Sequence, residues 1–133
     1  MRIFIDTSAF FALLDKDDAF HRQATKNWKG ILEGDRILVT SNYVLLECFA
    51  LIQNRLGLGA VRDFQQDILP LIRIEYVDPE LHRAGVSSLL AASRRNLSLV
   101  DCVSFEIMRA LGIKTVLTFA PHFQEQGFSF FPK

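Results

Sequence analysis

The sequence predicts an α/β fold, a three-layer α/β/α sandwich on a mostly parallel sheet of about five strands. Short apolar segments recur along the chain, which is typical of strands buried on both faces of a parallel sheet. Segments of helical length separate them, which is the order of βαβ units. The 133 residues suit one domain over 1–133, long enough to bury a core.

The first half of the chain predicts two strands and four helices, each with a local boundary signal. A polar break at 15–18 ends the first helix, and the hydroxyl and amide side chains of 40–42 suit a helix N-cap. Gly30 and Gly57 are expected to follow helix ends. The predicted elements are a strand at 2–5, helices at 7–14 and 19–28, a strand at 36–39, and helices at 43–55 and 60–69.

The second half predicts three strands and two long helices. Asp78 is a capping residue followed by a proline that the first helical turn favours. Ser98 begins a further helix, which Gly112 ends. The predicted elements are a strand at 71–76, helices at 79–92 and 99–111, a strand at 115–117, a short turn or helix at 121–126, and a strand at 128–131.

The charge balance limits the function classes. Lys plus Arg is 15 and Asp plus Glu is 15, so the formal net charge is zero, and half of the residues are hydrophobic. This composition excludes a disordered chain, a uniformly basic nucleic-acid coat and a polybasic membrane binder. It allows a nucleic-acid enzyme whose opposing charges are segregated. The 12 Phe are interpreted as core side chains and a C-terminal strand, with a base-stacking platform as the alternative.

The cysteines and the start of the chain indicate a compartment. Cys48 and Cys102 do not form a CxxC pair, so neither a zinc site nor a redox motif is expected. Two thiols, and a chain that begins directly with a strand rather than a leader, predict a cytoplasmic protein. No apolar run reaches the roughly 18 residues of a transmembrane helix, so no membrane association is expected.

Three acidic residues stand where an acid needs an explanation. Asp6 directly follows the first strand, where it would also suit an N-cap. Glu47 lies in the most apolar helix, where it is either a partnered or partly exposed side chain or a carboxylate that needs a cation or a proton. Asp101 lies three residues after Ser98, in a first turn where the helix dipole favours an acid. In a doubly wound sheet all three could converge outside the carboxyl ends of the strands.

Converging carboxylates repel one another unless a divalent cation lies between them. An open site with few protein ligands suits Mg²⁺ or Mn²⁺, which keep waters and accept phosphate oxygens. A metal held in this way activates water and stabilises a phosphodiester transition state. The predicted reaction is therefore metal-assisted phosphodiester hydrolysis, with Asp6, Glu47 and Asp101 as catalytic metal ligands. A phosphotransfer domain is disfavoured because Ser8 stands where an Asp-x-Asp motif has its second acid.

Four segments, in order along the chain, resemble the PIN domain, specifically the VapC-type toxins of toxin–antitoxin pairs. They are FIDTSAFFALLD, VTSNYVLLE, SLVDCVSFEIMRALGI and VLTFAPHFQEQGF. The resemblance implies that Asp6, Glu47 and Asp101 bind metal. It also implies Mg²⁺-dependent endonucleolytic cleavage of single-stranded or looped RNA, and a small antitoxin that occupies the crevice. The implied assembly is a homodimer or a toxin–antitoxin hetero-oligomer.

The late motif departs from the family pattern. The family usually carries Thr-x-Asp-x-x-Phe here, whereas this chain has Ala120 at the Asp position. Three readings remain open: the fourth acid is dispensable, the nuclease is weakened and the chain serves as an RNA- or antitoxin-binding module, or Glu125 or His122 substitutes. The first is favoured because a metal that keeps several waters needs few protein ligands.

Six further residues are candidates for contacts beside the metal or with substrate. The hydroxyl and amide candidates have capping as their alternative, and the two arginines could equally lie in a solvated loop. The candidates are Thr7, Ser8, Asn42, Thr118, Arg94 and Arg95.

Overall fold

Five parallel strands form one sheet in the computed structural model, which describes residues 1–132. The strands are β1 (Arg2–Ile5), β2 (Ile37–Ser41), β3 (Arg73–Glu75), β4 (Thr115–Leu117) and β5 (Ser129–Phe130). They lie in the order β3-β2-β1-β4-β5, and each adjacent pair is parallel. The predicted fold class is confirmed, with a sheet that is entirely rather than mostly parallel.

Seven α-helices connect and flank the strands in this part of the chain. A π-helical turn at Phe64–Ile68 and a 3₁₀ turn at Leu69–Leu71 lead from the fourth helix into β3. The helices are α1 (Thr7–Leu14), α2 (His21–Glu33), α3 (Asn42–Leu56), α4 (Leu58–Asp63), α5 (Pro79–Ala92), α6 (Leu99–Leu111) and α7 (His122–Glu125).

The core begins at the central strand. Ile3, Phe4 and Ile5 of β1 are buried on both faces of the sheet, which explains why this strand is a continuous apolar run. Phe105 and Phe123 meet edge to face with ring centroids 4.9 Å apart. Most of the phenylalanines thus pack in or against the core, which agrees with the interpretation of the high Phe count.

The second helix differs from its prediction. The sequence predicted a helix over 19–28 followed by Gly30, but α2 runs from His21 to Glu33 and includes that glycine. A glycine inside a helix costs only about 1 kcal/mol, and burial of Ile31 in the core compensates for it. The predicted strand at 71–76 is also shorter, because Leu71 belongs to the 3₁₀ turn.

The register brings the carboxyl ends of three strands to one edge of the sheet. Ile3 of β1 lies opposite Leu38 of β2 and Thr115 of β4. The Asp6 backbone N–H continues the ladder by donating to the Leu117 carbonyl at 3.1 Å. The residues that follow β1, β2 and β4 therefore lie side by side at this carboxyl edge, where an open α/β sheet places its site.

None of the helices within residues 1–132 has the length and apolarity needed to cross a membrane.

Candidate functional site

Asp6 is buried at the carboxyl edge, with 3% of its surface exposed. Its backbone is extended and takes the N-cap position of α1, but its side chain makes no capping hydrogen bond. Instead, Oδ2 accepts hydrogen bonds from Ser8 Oγ at 3.1 Å and from Thr118 Oγ1 at 2.9 Å. Asp6 therefore occupies the N-cap position without a side-chain capping hydrogen bond, and its carboxylate instead joins a hydroxyl of α1 to a hydroxyl just after β4.

Two backbone amides complete the network around Asp6. The Phe119 N–H donates to Ser8 Oγ at 2.9 Å, and the Ala120 N–H donates to Thr118 Oγ1 at 3.0 Å. Each hydroxyl thus accepts from an amide and can give its proton to the carboxylate. The network fixes the direction of the Asp6 side chain and ties the start of α1 to the loop after β4.

The electrostatic environment of Asp6 opposes its negative charge. Burial and the charge of Asp101 raise the pKa of the Asp6 carboxyl from 3.8 to about 6, although hydrogen bonds from Thr118 and Ser8 act in the opposite direction. Two carboxylates that repel each other in a buried setting are stabilised by a cation between them. The charges at this edge therefore fit a divalent metal.

Asp101 begins α6 and closes a capping box with Ser98. Its Oδ2 accepts from the Ser98 N–H at 3.1 Å, and its own N–H donates to Ser98 Oγ at the same distance. The local explanation for this acid is confirmed, and it does not exclude a second role, because the Asp101 charge still reaches Asp6. The capping box holds the carboxylate in a fixed position on the first turn.

The structure distinguishes the two alternatives for Glu47. Its side chain is exposed, which agrees with the partly exposed alternative, so burial does not require a cation or a proton here. Helix α3 is apolar mainly on the face that packs on the sheet, and Glu47 lies on the other face. It lines an apolar groove of about 470 Å³ together with Leu99 and Val100 of α6.

The acids surround the same part of the carboxyl edge without forming one cluster. Burial raises the pKa of the Cys48 thiol, and the charges of Asp6 and Glu47 raise it further. Glu47 is thus within electrostatic reach of the same buried thiol as Asp6. Yet no three His, Cys, Asp or Glu side chains of residues 1–132 stand close enough together to hold one ion.

The Thr7 hydroxyl next to Asp6 is shielded from solvent and makes no hydrogen bond of good geometry within residues 1–132. The Cys48 thiol lies within its reach as a weak partner. Because a thiol is a poor hydrogen-bond partner, the hydroxyl keeps capacity for a further oxygen atom. Together with the pair of carboxylates, this hydroxyl fits a hard cation that carries water ligands. Of the three predicted ligands, Asp6 and Asp101 interact through their charges, and the metal-binding roles of all three stay predictions.

Three of the predicted supporting residues have other contacts. Asn42 Oδ1 accepts from the Val77 N–H at 2.8 Å, so it connects the start of α3 to the chain after β3. Arg94 pairs with Glu125 at 3.2 Å, and Arg95 is exposed in the turn before α6. Only Thr7, Ser8 and Thr118 of the six candidates lie at Asp6, and the roles of all six stay predictions.

Ala120 lies directly beside the network, since its N–H donates to Thr118 Oγ1. The two residues considered as substitutes for the missing acid are engaged with each other. Glu125 contacts His122 Nδ1 at 3.3 Å, and the Arg94 hydrogen bond keeps the pKa of the Glu125 carboxyl below its usual value. Glu125 is therefore part of a surface ion pair.

Sequence reasoning missed two features of this edge. Cys48 was interpreted only as a small buried residue, yet its thiol lies within electrostatic reach of Asp6. The Phe20 ring stacks on Phe119, whose backbone is part of the Asp6 network. For Cys48, the sequence offered one signal, which is its position directly after Glu47. Nothing in the sequence indicated that Phe20 and Phe119 meet.

Comparisons with known proteins identify the family of this chain. The PIN domain family model matches residues 3–128. The "23S rRNA-specific endonuclease VapC20" of Mycobacterium tuberculosis, in strains CDC 1551 and H37Rv, is 33% identical over 127 residues, which is 95% of each chain.

Solved structures show the same likeness. The crystal structure of Mycobacterium tuberculosis VapC20, described as a sarcin–ricin loop cleaving toxin, superposes with a TM-score of 0.83 at 32% identity and 95% coverage of both chains. FitAcB from Neisseria gonorrhoeae superposes with a TM-score of 0.71 at 17% identity, over 98% of this chain and 96% of that one, which shows a shared fold. The chain thus belongs to the PIN domain family.

Proposed function

We propose that this protein is a Mg²⁺-dependent endoribonuclease that acts as the toxin of a toxin–antitoxin pair. The observation that carries the proposal is the 33% identity, over 95% of both chains, to a relative named as a 23S rRNA-specific endonuclease. The geometry supports it, since the buried Asp6 carboxylate lies at the carboxyl edge within electrostatic reach of Asp101. Acting on RNA in the cytoplasm is part of the same proposal.

Asp6 and Asp101 would hold the ion. Glu47 is the proposed third ligand, and its exposed side chain would have to move towards the pair, because the three acids do not stand close enough within residues 1–132 to hold one ion together. When bound, Mg²⁺, or Mn²⁺ in its place, activates a water and neutralises charge on the phosphodiester. Ser8 and Thr118 keep Asp6 Oδ2 in one orientation, and the buried Thr7 hydroxyl would support the site rather than contact RNA. No acid here needs to act as a conventional general base.

The proposed substrate is looped or single-stranded ribosomal RNA. A relative whose crystal structure superposes with a TM-score of 0.83 is described as cleaving the sarcin–ricin loop. The net charge of the chain is zero, so the protein as a whole does not attract RNA. Positively charged side chains must therefore line the path of RNA to the acidic edge. Arg95 is one such exposed cation, close in sequence to Asp101.

Mapping RNA ends in cells tests the substrate. Brief expression of the chain is expected to create new ends in 23S rRNA at one loop, because a single structured loop is the simplest target for a site of this kind. The measurement is sequencing of RNA ends, with an uninduced culture as the control. New ends scattered over many messenger RNAs, or none at all, would contradict a ribosomal substrate.

The proposed partner is a small antitoxin that covers the site, with a homodimer of this chain or a toxin–antitoxin hetero-oligomer as the assembly. The groove beside Glu47 supports it. Leu46 is 72% exposed there, and Tyr43, Ala50 and Leu99 extend the apolar surface. Exposed apolar patches beside functional residues are typical of interaction surfaces.

Ala120 motivates a second candidate, a catalytically weakened PIN domain that binds RNA or an antitoxin. Under the leading proposal, Ala120→Asp leaves the rate of Mg²⁺-dependent RNA cleavage within about threefold of wild type, because a hydrated ion needs few protein ligands. Initial rates on one RNA substrate measure the effect. Ala120→Asn is the control of equal size without charge. A gain of tenfold or more in Ala120→Asp alone would favour the second candidate.

A further inference from the structure

An aromatic pair lies at the carboxyl edge outside the acidic site. The rings of Phe20 and Phe119 stack with centroids 4.7 Å apart and planes 8° from parallel. Phe20 is nevertheless 50% exposed, so one face of its ring packs on Phe119 while the rest meets solvent. Large aromatic side chains are usually buried, and a half-exposed ring held flat against another is a surface on which a further ring can stack.

The pair is connected to Asp6 through short links. The Phe119 N–H donates to Ser8 Oγ at 2.9 Å, and that hydroxyl donates to Asp6 Oδ2 at 3.1 Å. The backbone of Phe119 is thus held by the same network that orients the carboxylate. A base stacked on Phe20 would be separated by the Phe20 ring from Phe119, whose N–H is hydrogen-bonded to Ser8.

The segment that carries Phe20 is fixed rather than free to rearrange. The Phe20 N–H donates to Asp18 Oδ1 at 2.8 Å, and its carbonyl accepts from the Ala24 N–H at 2.8 Å. His21 Nδ1 bonds to the Ala12 carbonyl at 2.8 Å, which ties the start of α2 to α1. An exposed ring with a fixed backbone loses little conformational entropy when it binds a ligand.

The topology also places Phe20 towards the carboxyl edge. Because β1 and β2 are parallel, the chain between them must return to the opposite edge of the sheet. Helix α2 makes that return, so its first turn lies on the same side as Asp6. A groove of about 450 Å³ borders this turn and is lined by Lys16, Asp18, Ala19, His21 and Arg22.

Two cations of this groove are available to the phosphates of a nucleic-acid strand. Lys16 and Arg22 form no salt bridge within residues 1–132, and Asp18 is the acid facing them in the groove, with its Oδ1 engaged by the Phe20 N–H. Aromatic rings beside unpaired cations are the usual surface for single-stranded nucleic acid, where each base stacks and each phosphate meets a positive charge.

We propose that Phe20 stacks on one unpaired base of the RNA substrate and so positions the strand for cleavage at the Asp6 site. This inference rests on the proposed ribonuclease function and adds a substrate-binding residue to it. The stack on Phe119 holds the Phe20 ring in place, and Lys16 and Arg22 receive the neighbouring phosphates. Since the base is held equally before and during the reaction, the contact contributes to RNA binding and leaves the chemical step unchanged.

A double-mutant cycle between protein and RNA tests the proposal. The probe is an RNA stem-loop with the sarcin–ricin loop sequence of 23S rRNA, together with copies in which one loop base at a time is abasic. Phe20→Ala is expected to raise KM by about 10- to 100-fold with kcat within about threefold of wild type. At one loop position, removal of the base should raise KM of the wild type by as much as Phe20→Ala does. Removal of that base should not raise KM of Phe20→Ala any further.

Two further variants separate stacking from packing. Phe20→Leu keeps an apolar contact with Phe119 and is expected to bind RNA as poorly as Phe20→Ala, whereas Phe20→Trp restores binding. Leu32→Ala, which removes a 52% exposed apolar side chain from the other end of α2, is the matched control and should not change KM. Thermal unfolding of each variant confirms that it is folded.

The outcomes distinguish a failure of the proposed substrate from a failure of the stacking role of Phe20. Failure of wild type to bind or cleave the stem-loop would overturn the substrate, and this inference with it. Cleavage by wild type combined with full activity of Phe20→Leu would overturn the stacking role alone. The stacking role would also be overturned if, at every abasic position, the loss in the double change equalled the product of the two single losses. Phe20 and the missing base would then not interact.

Discussion

Asp6→Asn is expected to lower Mg²⁺-dependent RNA cleavage by at least about 100-fold while leaving the fold intact. The amide keeps an oxygen that accepts from Ser8 and Thr118, so the network at the end of β4 survives. What is lost is the negative charge that a hard cation requires. Initial rates of cleavage with the purified protein measure the effect.

Two variants show whether the loss is specific to the site. Asp101→Asn is expected to have a similar effect, because the second charge of the pair disappears. Asp35→Asn is the matched control, since Asp35 is exposed just before β2, at the amino edge of the sheet. Undiminished cleavage by Asp6→Asn, or equal losses in Asp35→Asn, would be incompatible with a metal site at Asp6.

The second large effect is on stability in the absence of metal. The pKa of Asp6 is raised to about 6 by burial and by Asp101, so the folded protein binds this proton more tightly than the unfolded chain. A raised pKa stabilises the fold below pH 3.8, and that contribution is lost as the pH rises through about 6. Asp6→Asn removes the unfavourable charge and should be more stable than wild type at pH 7 by about 2–3 kcal/mol.

Denaturant unfolding at several pH values, with metal chelated, measures this difference. The advantage of Asp6→Asn over wild type should shrink to well under 1 kcal/mol as the pH falls from 7 to 4. Saturating Mg²⁺ should stabilise wild type at pH 7, since a ligand that binds only the folded state shifts the equilibrium. It should leave Asp6→Asn unchanged. An advantage that is constant across this pH range would mean that Asp6 is not buried as an acid.

The sequence predicted the layout of the fold well because its signals are local. The apolar run of β1 and the capping residues Ser98 and Asp101 act within a few positions of the chain. Helix α2 was misjudged because its extension past Gly30 depends on the burial of Ile31 by other elements. Local propensity is weak enough for such packing to override it.

The sequence predicted which residues belong to the site better than it predicted how they are arranged. Asp6, Ser8 and Thr118 were all candidates, but 110 or more positions separate Thr118 from its partners, so only the register of β1 and β4 brings them together. The exposure of Glu47 depends on which face of α3 meets the sheet. The stacking of Phe20 on Phe119 depends on the path of the chain after α1, which no local pattern encodes.

The most direct test of a metal-dependent nuclease at this edge is the rate of RNA cleavage measured against Mg²⁺ concentration, for wild type and Asp6→Asn side by side. Wild type should be inactive in chelator, gain activity as Mg²⁺ is added and reach a plateau. Asp6→Asn should stay near the baseline over the same range. Cleavage by wild type that persists in chelator, or a Mg²⁺ response of Asp6→Asn equal to that of wild type, would contradict the assignment.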